Sequence, residues 1–153
     1  MSNPATIHAS AALVGACAVL VRGPSGSGKS SFVLALLRAG QSGTLPFARL
    51  VADDRAIVTA SHGRLIVRPA DTLAGLIEAR GLGIVRLPYE GAAVVGSVVD
   101  LGADSKRLPD DSEHETVIAG IRLARLAVAP GADSLLLFRN FLNRAARKAP
   151  EGL

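Results

Sequence analysis

The stretch Gly23-Pro24-Ser25-Gly26-Ser27-Gly28-Lys29-Ser30 has the spacing G-x-x-x-x-G-K-[ST], in which each fixed position has a mechanical task. Gly23, Gly26 and Gly28 let a tight turn form without side chains in the way, so that successive backbone N–H groups converge on phosphate oxygens. A helix opening at Lys29 adds the positive end of its dipole. Lys29 brings a charge to the terminal phosphates, and the hydroxyl of Ser30 suits Mg²⁺. Ser25, Ser27 and Ser31 complete the polar rim. The pattern is strong for binding a nucleotide's phosphates and silent on the reaction.

Asp53 and Asp54 close the next apolar run, "RLVADD". A carboxylate beside the loop strand can hold Mg²⁺, directly or through water, or take a proton from an attacking hydroxyl. Adjacent strand side chains point to opposite faces, so the two acids are expected to do different jobs; the plainer alternative is a pair of acids starting a turn. His8 ends the first strand, and Glu78 and Arg80 lie in "IEARGLG". Glu78 is placed to reach a metal and Arg80 a phosphate, although a surface salt bridge is the commoner use of such a pair and a lone histidine is more often structural. Cys17 is expected to be a small buried apolar side chain.

The chain that must position these groups has 153 residues, 49% of them hydrophobic. That length suits one domain, 1–153, with a sizeable core. Gly, Arg, Asp or Pro interrupts every apolar stretch, so no membrane span is expected. "MSNPATIHAS" lacks the basic start and apolar run of a secretion signal. Together with a single cysteine, this makes a soluble cytoplasmic protein the default. The net charge of +4 invites nucleic acid. However, the arginines are scattered apart from Arg139, Arg144, Arg147 and Lys148, and aromatics at 3% offer no stacking platform. No nucleic-acid partner is expected.

"TIHASAALVGACAVLVRG" predicts two strands meeting at a turn, the second delivering the chain into the glycine loop. "KSSFVLALLRAG" places Phe32, Leu36 and Ala39 on one helical face and predicts an end at Gly40. "RAIVTASHGRLIVR" is a hairpin about His62-Gly63. "PADTLAGLIEARGLGIVRL" reads as a short helix, a glycine-marked break and a strand, and "AAVVGSVVDL" as a further strand. "GADSKRLPDDSEHE" should be an exposed loop. The last section predicts extended chain and a helix opening near Asp133 or Ser134. Hairpins on both sides of the loop helix argue for a strand-rich, mixed α/β sheet and against a doubly wound parallel one.

Taken in order, "IHASAALV", "GPSGSGKS", "RLVADD", "IEARGLGIV" and "APGADSLLLF" resemble the catalytic domain of the HPr kinase/phosphorylase family, over about Ile7 to Leu137. The specificity lies in the combination of a histidine strand, the loop, the paired acids and E-x-R-G-x-G-I, here Glu78 to Ile84. The resemblance implies an ATP-dependent protein serine kinase acting on HPr, a small phosphocarrier protein, with phosphorolysis by inorganic phosphate at the same site. It implies a nucleotide-binding core similar to that of phosphoenolpyruvate carboxykinase, and a homo-oligomer, commonly a hexamer. Carried over by position, Lys29 binds the β- and γ-phosphates and Ser30 and Glu78 hold Mg²⁺. Asp53 and Asp54 supply the general base, His8 orients that pair, and Arg80 serves within the signature segment. Short forms of this kind look similar to those of α-proteobacteria; the histidine strand begins almost at Met1, so regulation by an additional amino-terminal domain is expected to be absent. Two departures stand out: Ser31 replaces the acidic residue that commonly follows the loop serine, and "APGAD" replaces "RPGRN". A third is "VRLPYEGAAVVGSVVDL", which stands where the family tends to show a basic segment important to phosphorolysis. The decay after Ile84 and the absent regulatory domain motivate one competing expectation, a nucleotide-binding regulatory module without phosphotransfer; a small-molecule kinase using the same loop is another.

Overall fold

The computed structural model describes residues 1–103 and 114–147. The expected exposed loop therefore lies outside the described residues except at its two ends, as does Lys148. The strands are β1 (Ala5–Ile7), β2 (Ala9–Val14), β3 (Cys17–Arg22), β4 (Ala48–Ala52), β5 (Ala56–Ser61), β6 (Arg64–Pro69), β7 (Leu76–Ala79), β8 (Gly83–Arg86), β9 (Ala93–Leu101), β10 (Glu115–Ile118) and β11 (Ile121–Val128). The helices are α1 (Lys29–Gln41) and α2 (Ser134–Arg147), and a single 3-10 turn covers Asp71–Leu73. No helix among the described residues is long and apolar enough to cross a membrane.

One large sheet runs in the order β1-β5-β6-β9-β3-β2-β4, and β11, with β10 beyond it, joins a second time at β9. β9 is parallel to β3 and to β11, while the other pairings in the large sheet are antiparallel. The mixed, strand-rich architecture expected from the hairpins is therefore the one found. One edge of β9 pairs with β6 at Ala93 and Val94, then with β11 from Ser97 to Leu101. Gly96 sits at this fork, where the β3 register also shifts. A Cβ at Gly96 would lie 2.8 Å from the Cβ of Cys17, so close approach of strands, not backbone freedom, calls for glycine there.

Alternation along the strands divides the apolar residues between two clusters. Phe32, Val33 and Leu36 of α1 pack on Val19, Val21, Leu50 and Val99 on one face, together with Phe138 of α2 and Ile77 of β7. On the other face the sheet curls over itself, bringing Val58 and Val67 of the β5–β6 hairpin against Leu20, Val51 and Val98. The predicted helical face of Phe32, Leu36 and Ala39 is buried as expected. The hairpin turn also forms where expected, with His62 and Gly63 both at positive φ. The opening of α2 also agrees, since the Asp133 carboxylate accepts from the Leu136 N–H at 3.1 Å.

Three expectations are corrected. α1 does not stop at Gly40 but continues to Gln41, because Gly40 is a contact glycine: a Cβ there would lie 2.7 Å from that of Ala48. The segment Leu76–Ala79 is not helical; only Asp71–Leu73 turns, and Leu76–Ala79 pairs with Gly83–Arg86 as a hairpin that buries Ile77 and leaves Glu78 exposed. Cys17 is exposed, since it opens β3 immediately after the turn.

The last residue of β3 before the glycine loop is tied down by a charged network. Arg22 donates from Nε to Asp100 Oδ1 at 2.7 Å and from Nη2 to Oδ2 at 2.9 Å, and Arg125 Nε donates to Oδ2 at 2.5 Å. Burial on its own would raise the Asp100 pKa, but hydrogen bonds and charge from Arg22 and Arg125 together outweigh it and hold the carboxyl below its ordinary value. A carboxyl with a depressed folded pKa adds stability above its unfolded pKa, and that stability is lost as pH falls through the folded value. Asp100→Asn should therefore cost about 1–3 kcal/mol near neutral pH, and the deficit relative to the parent should shrink below about pH 4. Urea titrations of both proteins between pH 7 and 3 measure this; a deficit that is constant with pH would refute it.

Candidate functional site

Strand register explains why His8 meets the acid pair. Ile7 pairs with Ala56, and Ala11 with Ala52. Residues 8–10 and 53–55 are thus the two facing segments where both chains switch from one partner to the next. His8 Nε2 lies 2.5 Å from Asp54 Oδ1, and both side chains stay open to solvent, 49% and 61% exposed. Asp54 itself has a φ of 64°, a left-handed conformation that turns the two acids apart. They take different partners, but not by the strand alternation expected, since they lie in the bend after β4 and not on the strand.

Asp53 faces inward. Its Oδ1 accepts from Ser10 Oγ at 2.8 Å and from Ser30 Oγ at 2.7 Å, while Oδ2 accepts from the Glu78 N–H at 3.0 Å. Ser10 is fully buried, and its hydroxyl also accepts from the Asp54 N–H at 3.0 Å. One serine therefore positions both acids. The sequence argument missed Ser10; its only signal is a polar side chain inside the apolar run "ASAALV", easily taken for a tolerated serine.

The glycine loop runs from Gly23 to Gly28, ahead of α1. A Cβ on Gly23 would meet the Ser27 side chain and lie 2.9 Å from the Leu101 carbonyl oxygen, so this position is closed to larger residues. Gly26 and Gly28 differ: their φ values of 79° and 96° demand glycine, and nothing lies within 4 Å of where a Cβ would stand. The loop's outer surface is thus open backbone. No side chain caps the α1 N-terminus and no acid lies in its first turn, which suits that end for an anion. Lys29 is 7% exposed and spans the loop, donating to Gly23 O at 2.9 Å and Pro24 O at 3.2 Å. The Ser27 hydroxyl oxygen is buried without a hydrogen-bond partner. An uncapped helix end, open glycine backbone and an orphan hydroxyl all fit a bound phosphate chain.

These groups line a cleft of about 530 Å³. Ser25, Gly26, Gly28, Lys29, Ser30 and Ser31 form one wall; Asp53, Asp54, Glu78, Arg80 and the apolar Leu73, Leu76 and Ile84 form the other. Every sequence-predicted site residue except His8, Gly23 and Ser27 lines it; His8 reaches it through Asp54, while Gly23 and Ser27 support the loop from beneath. Among the described residues, no three or more His, Cys, Asp or Glu side chains gather as a metal cage. The donor set near Ser30 is one hydroxyl and carboxylates, which suits a Mg²⁺ that keeps waters and substrate oxygens as further ligands.

Residues 1–95 match the family model described as HPr Serine kinase C-terminal domain. A protein named HPr kinase/phosphorylase from Clostridium acetobutylicum is 30% identical over 128 residues, covering 75% of this chain and 40% of its own length. A protein of the same name from Streptococcus thermophilus is 34% identical over 122 residues, covering 72% of this chain and 37% of its own. The chain thus spans about two fifths of the length of these curated relatives. The solved structure of the Hpr(Ser) kinase/phosphatase from Coxiella burnetii matches with a TM-score of 0.75 at 23% identity, covering 94% of this chain and 97% of that one. That likeness is one of fold.

Because Ser10 bridges both acids, Ser10→Ala should lower stability by about 1–3 kcal/mol through the unmade hydrogen bonds it leaves. It should also speed hydrogen exchange at the Asp54 amide. Unchanged urea midpoint together with unchanged Asp54 protection would show that the bridge does not form.

Proposed function

Since the chain belongs to the HPr serine kinase C-terminal domain family, we propose that it is an ATP-dependent protein serine kinase whose acceptor is a serine hydroxyl on an HPr-like phosphocarrier protein. The observation that carries this reading is the division of labour between the two acids. Asp53 is committed to Ser10, Ser30 and the Glu78 amide, whereas Asp54 faces the open cleft with His8 behind it.

In this reading the phosphates of ATP lie along the loop amides. The Lys29 ammonium turns from the loop carbonyls to the β- and γ-phosphates, and Arg80 adds charge from the opposite wall. Ser30 and Glu78, with Asp53 behind Ser30, hold Mg²⁺, which when bound neutralises charge on the phosphate oxygens. The serine oxygen forms a bond to the γ-phosphorus as the bond from that phosphorus to the β–γ bridging oxygen breaks. ADP leaves, and the hydroxyl proton passes to the Asp54 carboxylate, positioned by His8 Nε2. Phosphorolysis uses the same groups: inorganic phosphate attacks the phosphoserine phosphorus as its bond to the serine oxygen breaks, Asp54 relays the proton of the attacking phosphate to that oxygen, and pyrophosphate leaves. Phosphorolysis enters the proposal because the curated relatives carry phosphorylase in their names.

The direct test incubates the protein with labelled ATP, Mg²⁺ and HPr from the same organism. Labelled phosphoserine should appear on HPr, and Asp54→Asn should reduce its rate by about 10²–10⁴ while leaving ATP affinity nearly unchanged. ATP bound with no phosphate reaching HPr would favour a regulatory module, and turnover of a metabolite in place of HPr would favour a small-molecule kinase.

A further inference from the structure

The β5–β6 hairpin has two unlike faces. Ala56, Val58, Leu65 and Val67 are buried in the core, while the alternate residues Ile57, Thr59 and Ile66 look outward together with Arg55, Arg64 and Arg68. β1 extends the outer face through Thr6, which pairs with Ile57, and β9 extends it through Val94, which pairs with Ile66. No aspartate or glutamate occurs from Arg55 to Ala70, among residues 4–8 or among residues 93–96. The three arginines are exposed, and none of their guanidinium groups has a hydrogen-bond or ion-pair partner among the described residues. Each of the other strand arginines of the large sheet, Arg22, Arg49, Arg122 and Arg125, holds a carboxylate.

We infer that this face docks an acidic surface of the protein acceptor, whose carboxylates meet Arg64 and Arg68 while its serine reaches Asp54. The docking role rests on the protein-kinase reading of the cleft and concerns a surface outside it. The face and the cleft are continuous. β1 and β5 pair at Ile7 and Ala56, and one step further along the same register His8 stands across from Arg55. The face thus begins at the His8–Asp54 pair and runs along the six residues of β5, about 20 Å at the rise of a strand. A protein whose serine sits at Asp54 cannot enter a cleft of about 530 Å³, so its body must rest on surface beside the opening. Unpaired guanidinium groups suit a partner that brings carboxylates, because arginine is weakly hydrated and binds them through two parallel hydrogen bonds. Nucleic acid is the competing polyanion, but the face carries no Phe, Tyr or Trp on which a base would stack.

The double variant Arg64→Glu, Arg68→Glu leaves the loop, the acids and Arg80 untouched, and HPr from the same organism serves as acceptor. Reversing the two charges should raise the KM for HPr about tenfold or more and change kcat by less than about twofold. Mg·ATP affinity should stay at the parental value, which also shows that the variant is folded. Arg64→Lys with Arg68→Lys, which keeps the charge, should hold KM within about threefold of the parent. Added salt should raise KM in the parent and lower it in the charge-reversed protein. Titrating the unmodified, isotope-labelled protein with unlabelled HPr should shift the amide resonances of Ile57, Thr59, Ile66 and Arg68, a readout independent of turnover and of any variant. Phosphoserine on HPr with a parental KM in the charge-reversed protein, and no shifts on the hairpin, would overturn the docking role and leave the kinase reading standing. Hairpin shifts with polyuridylate and none with HPr would overturn it in favour of nucleic acid. No phosphoserine from the intact protein would overturn the kinase reading and the docking role together.

Discussion

A carboxylate partly withdrawn from water needs donors on its shielded side, and the site is organised around how Asp53 meets that demand. Its three donors come from three separate elements: Ser10 on β2, Ser30 on the first turn of α1 and the Glu78 amide on β7. Each can reach Asp53 only if the sheet, the loop helix and the outlying β7–β8 hairpin are all seated. The same contacts that satisfy the acid therefore fix the distance between the loop and the opposite wall of the cleft. Asp54 is freed by this arrangement: its amide is held by Ser10, and its carboxylate is left to His8 and the opening.

The sheet supplies the second constraint, which is where the glycine loop begins. β3 is central, flanked by β2 and β9, and its last residue, Arg22, is clamped by Asp100 and through it linked to Arg125 on β11. The network lies on the face away from α1, directly before Gly23. A bidentate arginine–carboxylate contact is directional, so the chain enters the loop from a set angle. The fork at Gly96 makes this possible, because β11 can join β9 beside Asp100 only where β6 has already left.

What the sequence made legible was local. The loop spacing, the His62-Gly63 and Gly15 turns, the Phe32-Leu36-Ala39 stripe and the Asp133 cap are each encoded within a few residues, and each forms as read. The errors arose where a contact outside the segment itself decided the outcome. Gly40 carries a helix-end signal but is needed where α1 meets Ala48. Leu76 to Ala79 carries helix-forming residues but pairs with β8 and buries Ile77 under α1. Ser10 had only the weak signal of a polar side chain in an apolar run, since its importance comes from partners more than forty positions away. The family resemblance placed His8 with the acids; register then gave the reason, by setting residues 8–10 opposite residues 53–55.

The glycine loop is a ridge with an open cleft on either side, and its composition fits that geometry. Serines stand where both clefts meet at Ser25 and Ser31, neutral enough for either environment. An acidic residue at position 31 would place a negative charge next to the uncapped end of α1, where it would compete with a bound anion for the same N–H groups. Serine removes that competition and still offers a hydroxyl to the anion. Serine at position 31 therefore leaves the uncapped end of α1 open to an anion, while the charged side chains gather on the side where Asp53 has its donors.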